Sequence, residues 1–243
     1  MSNLNQELLT QFIEQNIIIP FYDSRNRSLS NASLKSLLKK KNPYLFRSKN
    51  IKTGQDLVKE MLDAFLSSSE ETIFGNLLER LAIFVCQKEF NGFKPKEGDF
   101  ASVDLIFTRD KTTYIIGIKP GSVWGNADST RQMISNLQQI ASLKYSNEQV
   151  HLVSGICYGK SKIKKYELYS RYTGQSFWEL VSGDDDFYIK IIEPLGNAIR
   201  NRDTEFILQY TKKINQMTTE ILNEFCTDNL LDWSKIVQFN SGK

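Results

Sequence analysis

Histidine is almost absent from this chain of 243 residues: His151 is the single one, inside the apolar run Val150 to Ile156. Histidine-rich nuclease chemistry is therefore excluded, and any Ser-His-Asp triad would depend on that one ring. Its plainest reading is a strand residue with a satisfied side chain. Cysteine is nearly as scarce. Cys86, Cys157 and Cys226 are odd in number, lie far apart and form no CxxC pair, which excludes a disulfide framework and a zinc site built of Cys and His alone. Reduced thiols suit the cytoplasm. No apolar stretch reaches the ~18 residues of a membrane span, and Met1 to Phe12 show no basic start followed by an apolar block. A cytoplasmic protein with neither membrane attachment nor secretory signal is expected. Internal repeats and low-complexity linkers are missing as well.

What is present is an ordinary globular composition, 40% hydrophobic and 24% charged, at a length that fits one large domain or two small ones. Thirty-one Lys and Arg against 28 Asp and Glu leave only +3, but the charge is segregated. Arg25, Arg27, Lys35, Lys39, Lys40, Lys41, Arg47, Lys49 and Lys52 follow one another without an intervening acid, so the rest of the chain is net acidic. Tyr44, Leu45 and Phe46 interleave with these cations, a pattern that anchors a segment to a core while its charges track phosphates. A solvated basic face is the alternative. A second basic patch, Lys160, Lys162, Lys164 and Lys165, borders an expected strand.

The pattern along the chain predicts an α/β or α+β fold, a small mixed sheet with helical additions at both termini. Residues 1–66 read as short helices. Two overlapping Ser-x-x-Glu boxes in Ser67-Ser68-Ser69-Glu70-Glu71 predict a new helix start, continued by Ile73, Leu77, Leu78, Leu81, Phe84 and Val85. The β-branched runs Ser102 to Thr108 and Thr113 to Lys119, joined by Arg109-Asp110-Lys111, predict an antiparallel hairpin. A helix from Asp128 to Tyr145 and strands at Val150 to Cys157 and Lys165 to Tyr169 follow. Beyond Gly174 the pattern is helical, ending with Thr204 to Phe225. The expected organisation is one domain over 1–243, with residues 1–66 basic and helical, 67–170 an α-β-β-α-β core and 171–243 a helical C-terminal part.

Strand alternation places Val103, Leu105 and Phe107 on one face of the hairpin and Asp104 on the other, with Ile115, Gly117 and Lys119 sharing a face of the partner strand. A carboxylate in an apolar strand is costly unless it is paired or binds a metal. An Asp104–Lys119 ion pair at the sheet edge is one reading. Glu79 opens another, because its helix neighbours Ala82, Ile83 and Cys86 turn its face apolar. A helical glutamate, a strand aspartate and a lysine on the next strand form a set able to hold a divalent cation and orient water toward phosphorus.

Gly75-x-x-x-Glu79, Ser102-Val103-Asp104-Leu105-Ile106-Phe107 and Ile116-Gly117-Ile118-Lys119 resemble the core of the PD-(D/E)XK nucleases. Gly121-x-x-Trp124-Gly125-Asn126 and Gly174-Gln175-x-Phe177-Trp178-x-x-x-Ser182-Gly183 are similar to segments of type II restriction endonucleases, the group named after PmeII in particular. The resemblance spans Lys41 to Pro194. It implies a restriction-endonuclease-like core, Asp104 as the metal aspartate, Lys119 as the motif lysine, the Ile118 carbonyl as a further metal ligand, Glu79 as the helix acid and Mg²⁺ as cofactor. Gly117 departs from the pattern, which has Asp or Glu there, so that Glu79, Asp128 or Gln132 would have to supply the missing ligand. Pro120, directly after the lysine, is a second departure.

The resemblance therefore implies a Mg²⁺-dependent enzyme that cuts both strands of duplex DNA at a short site, with a homodimer expected for symmetric cleavage. A cognate DNA methyltransferase would act on the same site without having to bind this protein. The expected DNA contacts are Lys39, Lys40, Lys41, Arg47, Lys49, Lys52, Ser122, Asn126, Arg131, Lys160 and Lys162, with Gln175 also able to read a base edge or hold phosphate. Trp124 and Trp178 fit either a core or a contact. Asp184, Asp185 and Asp186 read as a helix cap and dipole partner. A structure-selective repair or junction nuclease on the same fold, or a DNA-binding module that has lost cleavage, are the alternatives.

Overall fold

A computed structural model describes residues 4–96, 102–121, 127–197 and 200–242. In chain order it forms helices α1 (Gln6–Ile13), α2 (Ile19–Asn31), α3 (Leu34–Lys40), α4 (Pro43–Ser48) and α5 (Gly54–Phe90), then strands β1 (Leu105–Arg109) and β2 (Thr112–Gly121). Helix α6 (Ala127–Lys144), strands β3 (Gln149–Tyr158), β4 (Lys162–Lys165) and β5 (Ser170–Thr173), and helices α7 (Gln175–Ser182), α8 (Phe187–Lys190) and α9 (Ile192–Asn197) follow. Helix α10 (Arg200–Phe225), a ribbon of β6 (Cys226–Thr227) and β7 (Leu230–Leu231), and α11 (Trp233–Ser241) complete it. Two compact units result: Met1–Ile18 with Phe74–Ala198, and Ile19–Ile73 with Ile199–Lys243. No helix among the described residues is long and apolar enough to cross a membrane.

The first unit holds a five-stranded sheet in the order β1-β2-β3-β5-β4. Strands β2, β3 and β5 are parallel neighbours, while β1 and β4 run antiparallel at the two edges. This is the α/β architecture with a small mixed sheet and flanking helices that the sequence predicts. The β1–β2 turn is tight because Asp110 and Lys111 both adopt left-handed backbone, φ 51° and 63°, the type I′ geometry that matches strand twist. Helix α6 covers one face through Met133, Ile134, Leu137 and Ile140, packed on Ile106 and Ile115. On the other face Phe90 of α5 stacks on Phe107. At Gly155 a Cβ would meet the Phe177 ring at 2.3 Å, so glycine lets α7 lie close to β3.

The second unit is helical. Helix α10 packs against α2, and α11 against α3 and α4. Several of its charges pair within it: Arg25 pairs with Glu70 and lies over the Phe206 ring, and Lys35 pairs with Glu224.

Three expectations need correction. Helix α5 does not begin at Ser67. It begins at Gly54, directly after Thr53, whose Oγ1 accepts the Asp56 N–H, and runs unbroken to Phe90. The capping boxes offer only local bonds, whereas buried Leu57, Val58, Met61, Leu62 and Leu66 before them and Leu77, Leu78 and Leu81 after them hold one helical register through the serine run. Of the strand expected at Lys165 to Tyr169 only Lys165 is in one, as the last residue of β4; residues 166–169 are a turn closed by the Tyr166 N–H on the Tyr169 carbonyl at 2.9 Å that leads into β5. Val103 joins Ile106, Ile115 and Met133, not the face of Leu105 and Phe107, because residues 102–104 precede the strand and Ser102 has φ 68°.

Candidate active site

Helix α5 carries Glu79, the segment before β1 carries Asp104, and β2 carries Ile118 and Lys119. Gly75 lies one helical turn before Glu79 and faces Pro120, one residue after Lys119, so closely that a Cβ on it would be 2.6 Å from the proline ring. The departure at Pro120 thus has a packing role.

Asp104 donates its backbone N–H to the Ile116 carbonyl at 2.9 Å, and its Oδ2 accepts the Ile118 N–H at 2.7 Å. A carboxylate here does the work of a strand carbonyl and is fixed by it. Burial pushes its pKa up to about 6, with the Glu79 charge acting in the same direction against the Ile118 N–H and the cations of Lys94 and Lys119. The two acids therefore share one short-range field. Cys157, buried on β3, feels it too, its thiol pushed up first by burial and then by Glu79 and Asp104.

The reading of Asp104 and Lys119 as an ion pair gives way to another partner, Lys94, which sequence reasoning missed. Its Nζ lies 2.7 Å from Glu79 Oε1 and 3.7 Å from Asp104 Oδ1. Burial draws the Lys94 pKa down, but the bond to Glu79 and the charges of both acids leave it raised. Lys119 is half-buried and acts on Asp104 through its charge.

Gly117 has no space for a motif acid: a Cβ there would stand 2.6 Å from Met133 Sδ and 3.0 Å from the Ser102 carbonyl oxygen. Asp128 is exposed and pairs with Arg131, and Gln132 bonds Asn136 Oδ1 at 2.9 Å. Among the described residues no three His, Cys, Asp or Glu gather around one point. The carboxylates that could face one cation here are thus Glu79 and Asp104, oxygen donors of the kind that suits a hard divalent ion.

Near this pair a cleft of about 450 Å³ is lined by Leu78, Tyr158, Lys160, Ser161, Gln175 and Trp178 among others. Trp178 is a core residue, 3% exposed, its indole N–H bonded to the Cys157 carbonyl at 2.8 Å. Lys162 lies exposed on β4. Ser122, Trp124 and Asn126 lie outside the described residues. His151 sits in β3 and stacks on Tyr114, its pKa lowered by burial and by Lys165. Asp184 pairs with Lys190 and accepts the Asp186 N–H at 3.0 Å, so that run stays local.

The expected phosphate-tracking residues belong to the second unit. Lys40 and Lys52 are exposed. Lys39 lies over the Phe239 ring and Arg47 over Trp233, Lys41 bonds the Ala64 carbonyl at 3.1 Å, and Lys49 pairs with Glu60 at 2.6 Å. Of the three residues expected to anchor this run, Phe46 is buried while Tyr44 and Leu45 are exposed, so the run is held by Phe46 and its cations are partly neutralised.

The family model described as type II restriction endonuclease EcoO109I matches residues 7–203. No curated protein matches the chain.

Proposed function

The chain belongs to the family of the type II restriction endonuclease EcoO109I, and on that premise we propose that it hydrolyses both strands of duplex DNA at a short specific sequence with Mg²⁺. The observation that carries the chemistry is the meeting of Glu79 with Asp104, a buried acid whose pKa is pushed up to about 6 by burial and by that neighbour. Two carboxylates so close call for positive charge between them. Glu79 and Asp104 would hold the ion, with the Ile118 carbonyl as a further ligand. When bound, Mg²⁺ supplies a Lewis acid for the scissile phosphate and a water of lowered pKa. Asp104 is held in place by the Ile118 N–H. Lys119 orients the attacking water or offsets charge developing on phosphate. Lys39, Lys40, Lys41, Arg47, Lys49 and Lys52 act as phosphate contacts, which position the protein without reading bases, joined by Arg131, Lys160 and Lys162. A homodimer would place two such sites on the two strands.

The filled space at Gly117 favours a second reading, a module that binds DNA and no longer cuts. Plasmid or phage DNA incubated with the protein in Mg²⁺ and in EDTA separates the two. Discrete fragments in Mg²⁺ alone are the expected result. A smear or branch-dependent cutting would indicate a structure-selective nuclease, and binding without cleavage under any divalent cation would leave the binding module.

A further inference from the structure

Lys94 occupies the position between the two acids where positive charge is required, and the fold delivers it there. Asn91 ends α5 in left-handed backbone, φ 56°. The Gly92 N–H returns to the Cys86 carbonyl at 3.1 Å, and Phe93 exchanges both backbone bonds with Ile106 at 2.9 Å each. A Cβ at Gly92 would stand 2.6 Å from Cys86 Sγ, so the turn is tight. The backbone on the N-terminal side of Lys94 is thus stitched to the edge of β1, and Pro95 follows it. Its ammonium then reaches Glu79 Oε1 at 2.7 Å and Asp104 Oδ1 at 3.7 Å.

We propose that Lys94 is an internal counter-ion of the catalytic carboxylates which a divalent cation must displace, so that metal loading is an exchange rather than a filling of free space. This rests on the reading of Glu79 and Asp104 as the metal-holding pair. An ammonium and a divalent ion cannot share the same two carboxylate oxygens without strong repulsion. The Lys94 side chain is 45% exposed and its flexible stem lets the head move into water. In the free protein Lys94 weakens cation binding; when a DNA phosphate adds negative charge at the site, the balance shifts toward the metal. Lys94 is a positioning residue by this account, because it acts through the acids.

The test is a calorimetric titration of Ca²⁺, a hard divalent ion, into the full chain without DNA, for the wild type, Lys94→Met, Lys94→Gln, Lys94→Arg and Asp104→Asn. Removing a unit charge at ~4 Å should tighten Ca²⁺ binding at least about tenfold in the Met and Gln variants, while Arg, which keeps the charge, should not tighten it. Melting in EDTA shows whether each variant is folded, and the two neutral variants give independent readings. Equal or weaker Ca²⁺ affinity in folded Lys94→Met and Lys94→Gln, with binding abolished in Asp104→Asn, would overturn the role of Lys94 and leave the metal site standing. No Ca²⁺ binding in any variant would overturn the metal reading and the inference together.

Discussion

Gly75 and Pro120 touch where no side chain would fit, the Cβ that glycine lacks falling 2.6 Å from the proline ring. Glu79 lies four residues beyond Gly75 and Lys119 one before Pro120, so this contact sets the distance between the acid on α5 and the lysine on β2. Gly75→Val should force helix and strand apart. An error of ~1 Å at a catalytic centre lowers rates by about a hundredfold, so cleavage should fall by that order while far-ultraviolet circular dichroism stays native. Wild-type cleavage by a folded Gly75→Val protein would show that the spacing is not critical.

Asp104→Ala and Lys119→Ala should each abolish cleavage and leave DNA binding measurable by gel shift. Glu79→Gln should abolish or severely reduce Mg²⁺-dependent cutting with little loss of stability, because the carboxamide keeps shape and removes charge. Cutting by either of the first two variants would remove this site from consideration. Normal cutting by Glu79→Gln would place the second ligand elsewhere.

Restoring an acid at the motif position should fail for a steric reason. Gly117→Asp drives a side chain into Met133 Sδ and the Ser102 carbonyl, and overpacking of this kind costs about 1–3 kcal/mol. Met133→Ala should relieve part of that penalty in the double variant. Denaturation midpoints of the two single variants and the double measure the coupling; strictly additive effects would mean that Met133 is not the obstacle.

Asp104 also makes stability depend on pH. With its pKa pushed up to about 6 in the folded protein by burial and by Glu79, against ~3.9 for a free side chain, the native state binds a proton that the unfolded chain has already released between those values. Stability therefore falls as pH rises through that window. Asp104→Asn keeps an acceptor for the Ile118 N–H and should be more stable than wild type at pH ~7.5 in EDTA by on the order of 1–3 kcal/mol, the difference fading toward pH ~4. Urea unfolding at the two pH values decides it, and a less stable Asn variant at the higher value would contradict the burial account.

Affinity for duplex DNA should fall steeply with salt, and replacing Lys39, Lys40 and Lys41 together by Gln should lower the log-log slope by ~0.9 for each phosphate that is no longer neutralised. Lys49→Gln alone should change it less, since Lys49 is paired with Glu60. Cleavage positions should be unaltered. An unchanged slope in the triple variant would mark the run as a solvated face.

Much of the sheet was legible because its signals are periodic and local. Helix α6 and the central strand β3 lie within a residue of their expected bounds, the hairpin turns at Asp110 as expected although β1 starts three residues later than Ser102, and Glu79 and Asp104 stood out as acids in apolar company. What could not be read depends on contacts distant in sequence. The serine-rich stretch carries strong local start signals, yet the apolar stripe on both sides of it keeps α5 continuous. Lys94 carries no periodic or motif signal, since only the Phe93–Ile106 bridge and the tight turn at Gly92 bring it to the acids. Gly117 could be recognised as a departure, but its reason, Met133, lies on the helix after the hairpin.

The edges of the five-stranded sheet bear on how two copies could meet. Strand β1 has its outer side partly taken by the Phe93 bridge, and β4, at the opposite edge, is a four-residue strand whose Lys162, Ile163, Lys164 and Lys165 are all exposed. Short, cation-studded edges resist the addition of a further strand. Two protomers joined through β4 would set lysine against lysine along the seam, so a continuous intermolecular sheet is disfavoured at that edge. A symmetric pair that uses this end of the sheet would form through helices or loops, and the same lysines oppose aggregation by strand pairing there.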